Sequence, residues 1–182
     1  MGRNDDDLIS PTDPEASAFA NAARAYCDFI DAAIVQRPDP FYGPLQGLLI
    51  RLVELVEPLN CYAPDIKKRL QKKYGALADE FPGKHPEIGA LVSADSRQLQ
   101  EWASEWEEHD SAGNDRRFML WDDLGDVYRE LRQGLVLWDL QTAPACSEAA
   151  YVWRWSYEHH WGDHLFRAAQ TIHEMRFGIY RD

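Results

Sequence analysis

The stretch from residue 120 to residue 140 constrains this chain more than any other. At 100° per residue, Leu120, Leu124, Val127, Tyr128, Leu131, Leu135 and Trp138 fall within one arc, with Asp122, Asp126, Arg129 and Gln133 opposite. A 3.6-residue apolar period held over that length specifies an amphipathic helix that must bury its stripe against other elements. The same period recurs along the chain. Thr12-Asp13-Pro14 offers a capping side chain and a proline at the first helical position. Phe19, Ala22, Ala23, Tyr26, Phe29, Ile30 and Ala33 then carry a helix to residue 36, and Pro38 and Pro40 end it. A second helix is predicted over residues 44–57 from Leu45, Leu48, Leu49, Leu52, Val53 and Val56. A third opens at Pro64-Asp65 with Ile66, Leu70, Tyr74 and Leu77 inward and Lys67, Lys68, Arg69, Lys72 and Lys73 on a face that reads first as solvated, and otherwise as a contact for an acidic helix or an anionic ligand. Leu99, Trp102 and Trp106 suggest a further helix over residues 95–113, although their spacing also permits an edge strand. Pro144 begins a long last helix reaching residue 176.

Helices joined by short loops marked with Pro and Gly predict an all-α fold, a single-domain antiparallel bundle of about five or six helices. That domain is expected over residues 12–182, behind a disordered tail at residues 1–11. A chain of 182 residues is long enough to bury a substantial core without staples. The three cysteines, Cys27, Cys61 and Cys146, are widely spaced, form no C-x-x-C, and read as buried small apolar side chains.

Residues 150–177 hold the most chemistry. Trp153, Tyr157, Trp161, Leu165, Ala168, Ile172 and Met175 form one side of a broad apolar arc, and Trp155, Gly162, Phe166 and Ala169 the other. An arc that wide predicts a central helix with neighbours on several sides. Arg154 and Glu158 fall inside it four residues apart, which predicts a buried ion pair. Gly162, one turn further on, is expected to leave room for another backbone or side chain to approach. His160 and His164 share a face at a spacing that can hold a metal. The acidic run Asp122, Asp123 and Asp126 can supply carboxylates if its helix packs alongside. On the helical wheel, however, Asp122 and Asp126 lie opposite their apolar stripe and His160 borders the polar side of its own helix, so nothing requires the two sets to meet.

Two blocks carry a resemblance. Trp121-Asp122-Asp123-Leu124-Gly125-Asp126-Val127-Tyr128-Arg129-Glu130-Leu131, followed by Gly134-Leu135, resembles a bacterial domain-of-unknown-function family. So does Trp153-Arg154-Trp155 with Glu158, His160-Trp161-Gly162 and His164. The resemblance implies a small helical bacterial protein and brings no activity with it. In its acidity and its lack of enzyme motifs the chain is also similar to the immunity partners of contact-dependent growth-inhibition toxins.

Charge orders the functional readings. The net charge of −12 argues against nucleic acid as a partner and favours a basic one. Between Asp95 and Asp126 ten acidic residues stand against three basic ones, a local balance of −7. Trp102 and Trp106 lie within that stretch, and aromatic anchors inside a charged rim suit an interface. The leading expectation is therefore a non-enzymatic, acidic protein-binding protein, most concretely one that neutralises a basic toxin domain. Glu101, Trp102, Glu105, Trp106, Glu107, Glu108, Asp110, Asp122 and Asp126 would form its docking face. The rival expectation is an enzyme or metal-binding protein using Glu158, His160 and His164 with Asp122 or Asp126. There is no phosphate-binding glycine loop, nucleophile elbow or H-E-x-x-H, and no cofactor is expected. The acidic N-terminus has no secretory signal and no apolar run is long enough to cross a bilayer, so the expected setting is the cytoplasm, away from membranes.

Overall fold

The computed structural model describes residues 8–36, 42–59 and 114–177. Among them are helices and no strand: α1 (Pro14–Gln36), α2 (Tyr42–Val56), α3 (Asn114–Trp138), α4 (Ala143–Ser156) and α5 (Gly162–Phe177), with a π-helical turn at Tyr157–Trp161 joining the last two. The predicted third helix with its basic face, and the element over residues 95–113, lie outside the described residues, as does Cys61.

Local sequence explains each end. Asp13 caps α1, its carboxylate accepting from the Ala16 amide at 3.0 Å, and Pro14 occupies the first turn. At the end of α3 Gln141 takes a left-handed conformation (φ 52°) and its amide donates to the Trp138 carbonyl at 3.0 Å. Thr142 then stands at the N-cap of α4, with Pro144 in the first turn. This tight turn folds α4 back along α3. The predicted disordered tail is too long at its inner end: Ile9 is buried, and its amide donates to Ser147 Oγ of α4 at 2.7 Å.

One core holds the helices together. Phe19, Tyr26 and Ile30 of α1 meet Leu45, Leu49 and Leu52 of α2, Leu124 and Leu131 of α3, and Trp153, Trp161 and Leu165 of the C-terminal rod formed by α4, the π turn and α5 (Ala143–Phe177). α3 packs against α1, α4 and α5, and α2 against α1 and α5. The polar ends of the large aromatics are satisfied on helix carbonyls. Tyr26 donates to Leu124 O at 2.9 Å, Trp153 to Leu131 O at 3.1 Å, and Trp161 to Trp153 O at 3.1 Å. Cys27 and Cys146 are buried free thiols. Burial pushes the Cys27 thiol up to about 12, so it stays protonated and unreactive at neutral pH. At the half-buried edge of α1, Asp31 accepts from Tyr128 at 2.7 Å and pairs with Arg132, tying α1 to α3.

The expected continuous last helix is broken by its π turn. The Gly162 amide reaches back to the Tyr157 carbonyl, five residues away, and a Cβ at Gly162 would stand 2.4 Å from that oxygen. The space at Gly162 is therefore taken by the backbone carbonyl and ring of Tyr157, from its own turn. An extra residue in one turn shifts the phase of everything before it against everything after it. For that reason the predicted broad arc narrows. Trp153, Trp161, Leu165, Ala168 and Ile172 are buried as expected, whereas Trp155 and Phe166 are exposed.

α3 approaches α4 so closely at Gly134 that a Cβ there would lie 2.0 Å from Trp153 Nε1. A Cβ at Gly125, in the same helix, meets nothing within 4 Å. Gly134→Ala is expected to destabilise the fold by about 1–3 kcal/mol through displacement of the indole. Gly125→Ala should be neutral or stabilising, by up to about 1 kcal/mol, through helix propensity. Urea unfolding of the two variants checks this, and equal midpoints would refute the close contact.

Candidate metal centre

α3 presents acids on the flank that faces the C-terminal rod. Asp123, Asp126 and Glu130 are spaced i, i+3, i+7 on that helix. Opposite them, His160, His164 and Arg167 are spaced i, i+4, i+7 across the π turn and α5. The two ladders meet. His164 Nδ1 lies 2.7 Å from Asp123 Oδ1, and His164 Nε2 lies 3.2 Å from Asp126 Oδ2. His160 and His164 have ring centroids 4.7 Å apart. Asp126, His160 and His164 bring one ligand-type atom each to within 4.8 Å of one another.

Burial differs across the cluster in a way that matters. Asp123 is only 1% exposed, and a carboxylate so placed needs compensation. Arg167 supplies it, donating from Nε at 3.0 Å and from Nη2 at 2.9 Å, both onto Oδ1. That pairing, chiefly the hydrogen bond, raises the Arg167 guanidinium above its ordinary value. His164 and Asp126 have side chains 15% exposed, at the mouth of the site. Asp126 also pairs with Arg129 on its own helix.

His160 is held differently. Its Nδ1 lies 3.3 Å from Glu130 Oε1, close enough for charges to interact, yet the angle is wrong for a hydrogen bond. The atom is buried and has no hydrogen-bond partner.

Asp126 therefore meets the histidines, the outcome left open for the case in which its helix packs alongside, even though the wheel places it opposite the apolar stripe. α3 has two buried flanks and not one stripe: the apolar arc faces α1 and the rest of the core, while Asp123, Asp126 and Glu130 lie along the rod. Asp122 remains exposed and is not among the clustered residues. Arg167 and Glu130 were missed by sequence reasoning. The signal that would find them is the match of two ladders of opposite charge, read once the helices are known to be adjacent. Of the expected docking face, Glu101, Trp102, Glu105, Trp106, Glu107, Glu108 and Asp110 lie outside the described residues.

Arg154 and Glu158 do pair, Nε to Oε1 at 2.6 Å, but the pair is not buried: the side chains are 19% and 46% exposed. The π turn begins between them and carries Glu158 outward. Arg154 has a second task, donating from Nη1 to the carbonyls of Val56 at 3.1 Å and Glu57 at 2.8 Å. It thus satisfies the C-terminal carbonyls of α2 and fixes that helix to the rod. Burial acts against the charge of Arg154, but its hydrogen bonds to Glu158 and Glu57 together outweigh this and raise the guanidinium above its ordinary value.

This is a helical bundle with a histidine–carboxylate cluster between two of its helices. The chain belongs to DUF5063, a domain-of-unknown-function family that matches residues 11–178 and so covers both sequence blocks noted above. No curated protein and no solved structure matches it. Among the described residues, no helix is long and apolar enough to cross a membrane.

The roles of Arg154 and Glu158 separate by mutation. Arg154→Met removes the carbonyl contacts and should cost about 1–3 kcal/mol of stability. Glu158→Gln, at an exposed position, should stay within about 0.5 kcal/mol. Thermal and denaturant unfolding measure both, and equal losses would restore the buried-pair reading.

Proposed function

We propose that this protein binds a divalent first-row transition metal, zinc being the natural probe, through Asp126, His160 and His164. One observation carries the reading. Both nitrogens of His164 face carboxylate oxygens, at 2.7 and 3.2 Å. A neutral imidazole has one N–H and can serve one of them. The other nitrogen then sets its lone pair against an acceptor, which a cation between the two relieves. Nitrogen and oxygen ligands about 2.0–2.2 Å from zinc stand roughly 3.3–3.6 Å apart in a tetrahedron. The separation of 3.2 Å between His164 Nε2 and Asp126 Oδ2 is close to that edge. His160, whose buried Nδ1 has no hydrogen-bond partner, supplies the second imidazole. Two imidazoles and one carboxylate suit zinc, iron, cobalt or nickel better than magnesium or calcium, which prefer all-oxygen shells.

A competing account puts a second proton on His164, making it an imidazolium bridge between Asp123 and Asp126. Metal titration of the purified protein decides between them. Binding at one equivalent is expected, with loss in His160→Ala, His164→Ala and Asp126→Ala. At a free metal concentration 100 times Kd the fold should gain about 2.7 kcal/mol. Absence of binding by the unaltered protein would leave the imidazolium bridge as the better account.

A basic protein partner, most concretely a toxin domain, is a second proposal. It is supported by the local balance of −7 from Asp95 to Asp126 and by the exposure of Asp122. Asp126 contributes little to such a face, because Arg129 and His164 already engage it. Charge reversal at Glu105, Glu107 and Glu108 should abolish capture of a cationic toxin domain, and undiminished capture would remove the proposal.

A further inference from the structure

We infer that Asp123 is the positioning residue of the proposed centre: it holds His164 as the Nδ1–H tautomer, so that Nε2 is the coordinating atom. The inference rests on the metal-binding reading and adds the residue that makes the site selective for one ring orientation.

Hydrogen-bond roles fix the tautomer. Asp123 Oδ1 already accepts from Arg167 Nε and Nη2. It therefore presents lone pairs to His164 Nδ1, which lies 2.7 Å away and must carry the proton that joins them. Arg167 Nη2 also lies 2.8 Å from His164 Nδ1. An arginine has no lone pair to offer, and a bare Nδ1 accepting from it would set its own lone pair against Oδ1 at 2.7 Å. With Nδ1–H and Arg167 both donating to Asp123, that lone-pair repulsion is removed; Nη2 and Nδ1, 2.8 Å apart, are then two donors directed at the same carboxylate oxygen. The same oxygen thus anchors both the ring and the arginine.

Orientation follows from burial. Asp123 is 1% exposed and lies on the side of α3 packed against α5, so its carboxylate has no freedom to follow the ring. With Nδ1 fixed to it, the His164 ring points Nε2 toward Asp126 Oδ2 at 3.2 Å. A carboxylate hydrogen-bonded to the far nitrogen of a ligating histidine fixes its tautomer and raises its basicity, and losing one typically costs 10- to 100-fold in metal affinity. Arg167 keeps Asp123 in its acceptor state and in place. It is a support of the support and touches no proposed ligand atom on the metal side.

The test is made on the full chain with zinc and with cadmium-113. Asp123→Ala should lower zinc affinity about 10- to 100-fold. Asp123→Asn, which retains an acceptor for Nδ1–H, should lower it less. Asp31→Asn, which breaks the distant link to Arg132 and Tyr128, should lower the unfolding midpoint while leaving zinc affinity unchanged. On the unaltered protein loaded with cadmium-113, nitrogen-15 spectra should show His164 coupled to the metal through Nε2, with a slowly exchanging Nδ1 proton. That measurement decides the matter even if the Asp123 variants do not fold. Coordination of His164 through Nδ1, or Asp123→Ala binding zinc as tightly as the unaltered protein, overturns this inference and leaves metal binding standing. No zinc or cadmium bound by the unaltered protein overturns both.

Discussion

The π turn at Tyr157–Trp161 is the constraint on which the C-terminal half of this structure depends. By adding a residue to one turn, it lets Trp153 and Trp161 both enter the core while presenting His160 and His164 to the acids of α3. Trp161 donates its indole N–H to the Trp153 carbonyl, and Trp153 donates its own to Leu131 of α3. The irregular turn is therefore clamped from inside by two buried indoles, one of them resting where Gly134 leaves space. Such turns occur often at functional sites, since they redirect side chains that a regular helix would aim elsewhere.

The electrostatics of the candidate centre follow from this packing. An acid as buried as Asp123 would be costly beside an apolar helix. The rod brings Arg167 and His164 to it, so the charge is compensated where it sits. The cluster is graded: Asp123 fully enclosed, Asp126 and His164 at the mouth, His160 further out. A graded site of this kind has a fixed inner support and an outer face that a small ion can reach. By contrast, the Asp31, Tyr128 and Arg132 group at the other flank of α3 is complete in itself, each member being engaged by the others, and it fastens α1 to α3.

The helices were largely legible because a helix is written locally. Proline at the first turn, capping by Asp13 and the apolar period of α1, α2 and α3 all operate within a few residues. The starts and stops so predicted differ from the observed ones by at most a few residues, apart from the earlier start of α3 at Asn114. What the period hid was the second buried flank of α3. A single apolar stripe places Asp126 on the opposite side, and only a neighbouring helix carrying histidine and arginine gives the flank of Asp123, Asp126 and Glu130 its partners. The Arg154–Glu158 pair was predicted at the right spacing and the wrong depth, since the wheel used to bury it assumed 3.6 residues per turn through a segment that does not keep to that number.

By itself, then, the sequence determined that the described residues form amphipathic helices, which residues line their main stripes, and that acids and histidines of metal-ligating type are present. The tertiary structure alone decided which of them meet. Asp126 joins His160 and His164 while Asp122 stays in solvent, and Asp123 is enclosed with Arg167. The physical reason is range. Helix formation is governed by contacts a few residues apart, whereas the cluster joins positions about forty residues apart in the chain, such as His164 and Asp123 (separation 41), through the packing of two rods and a single extra residue in one turn.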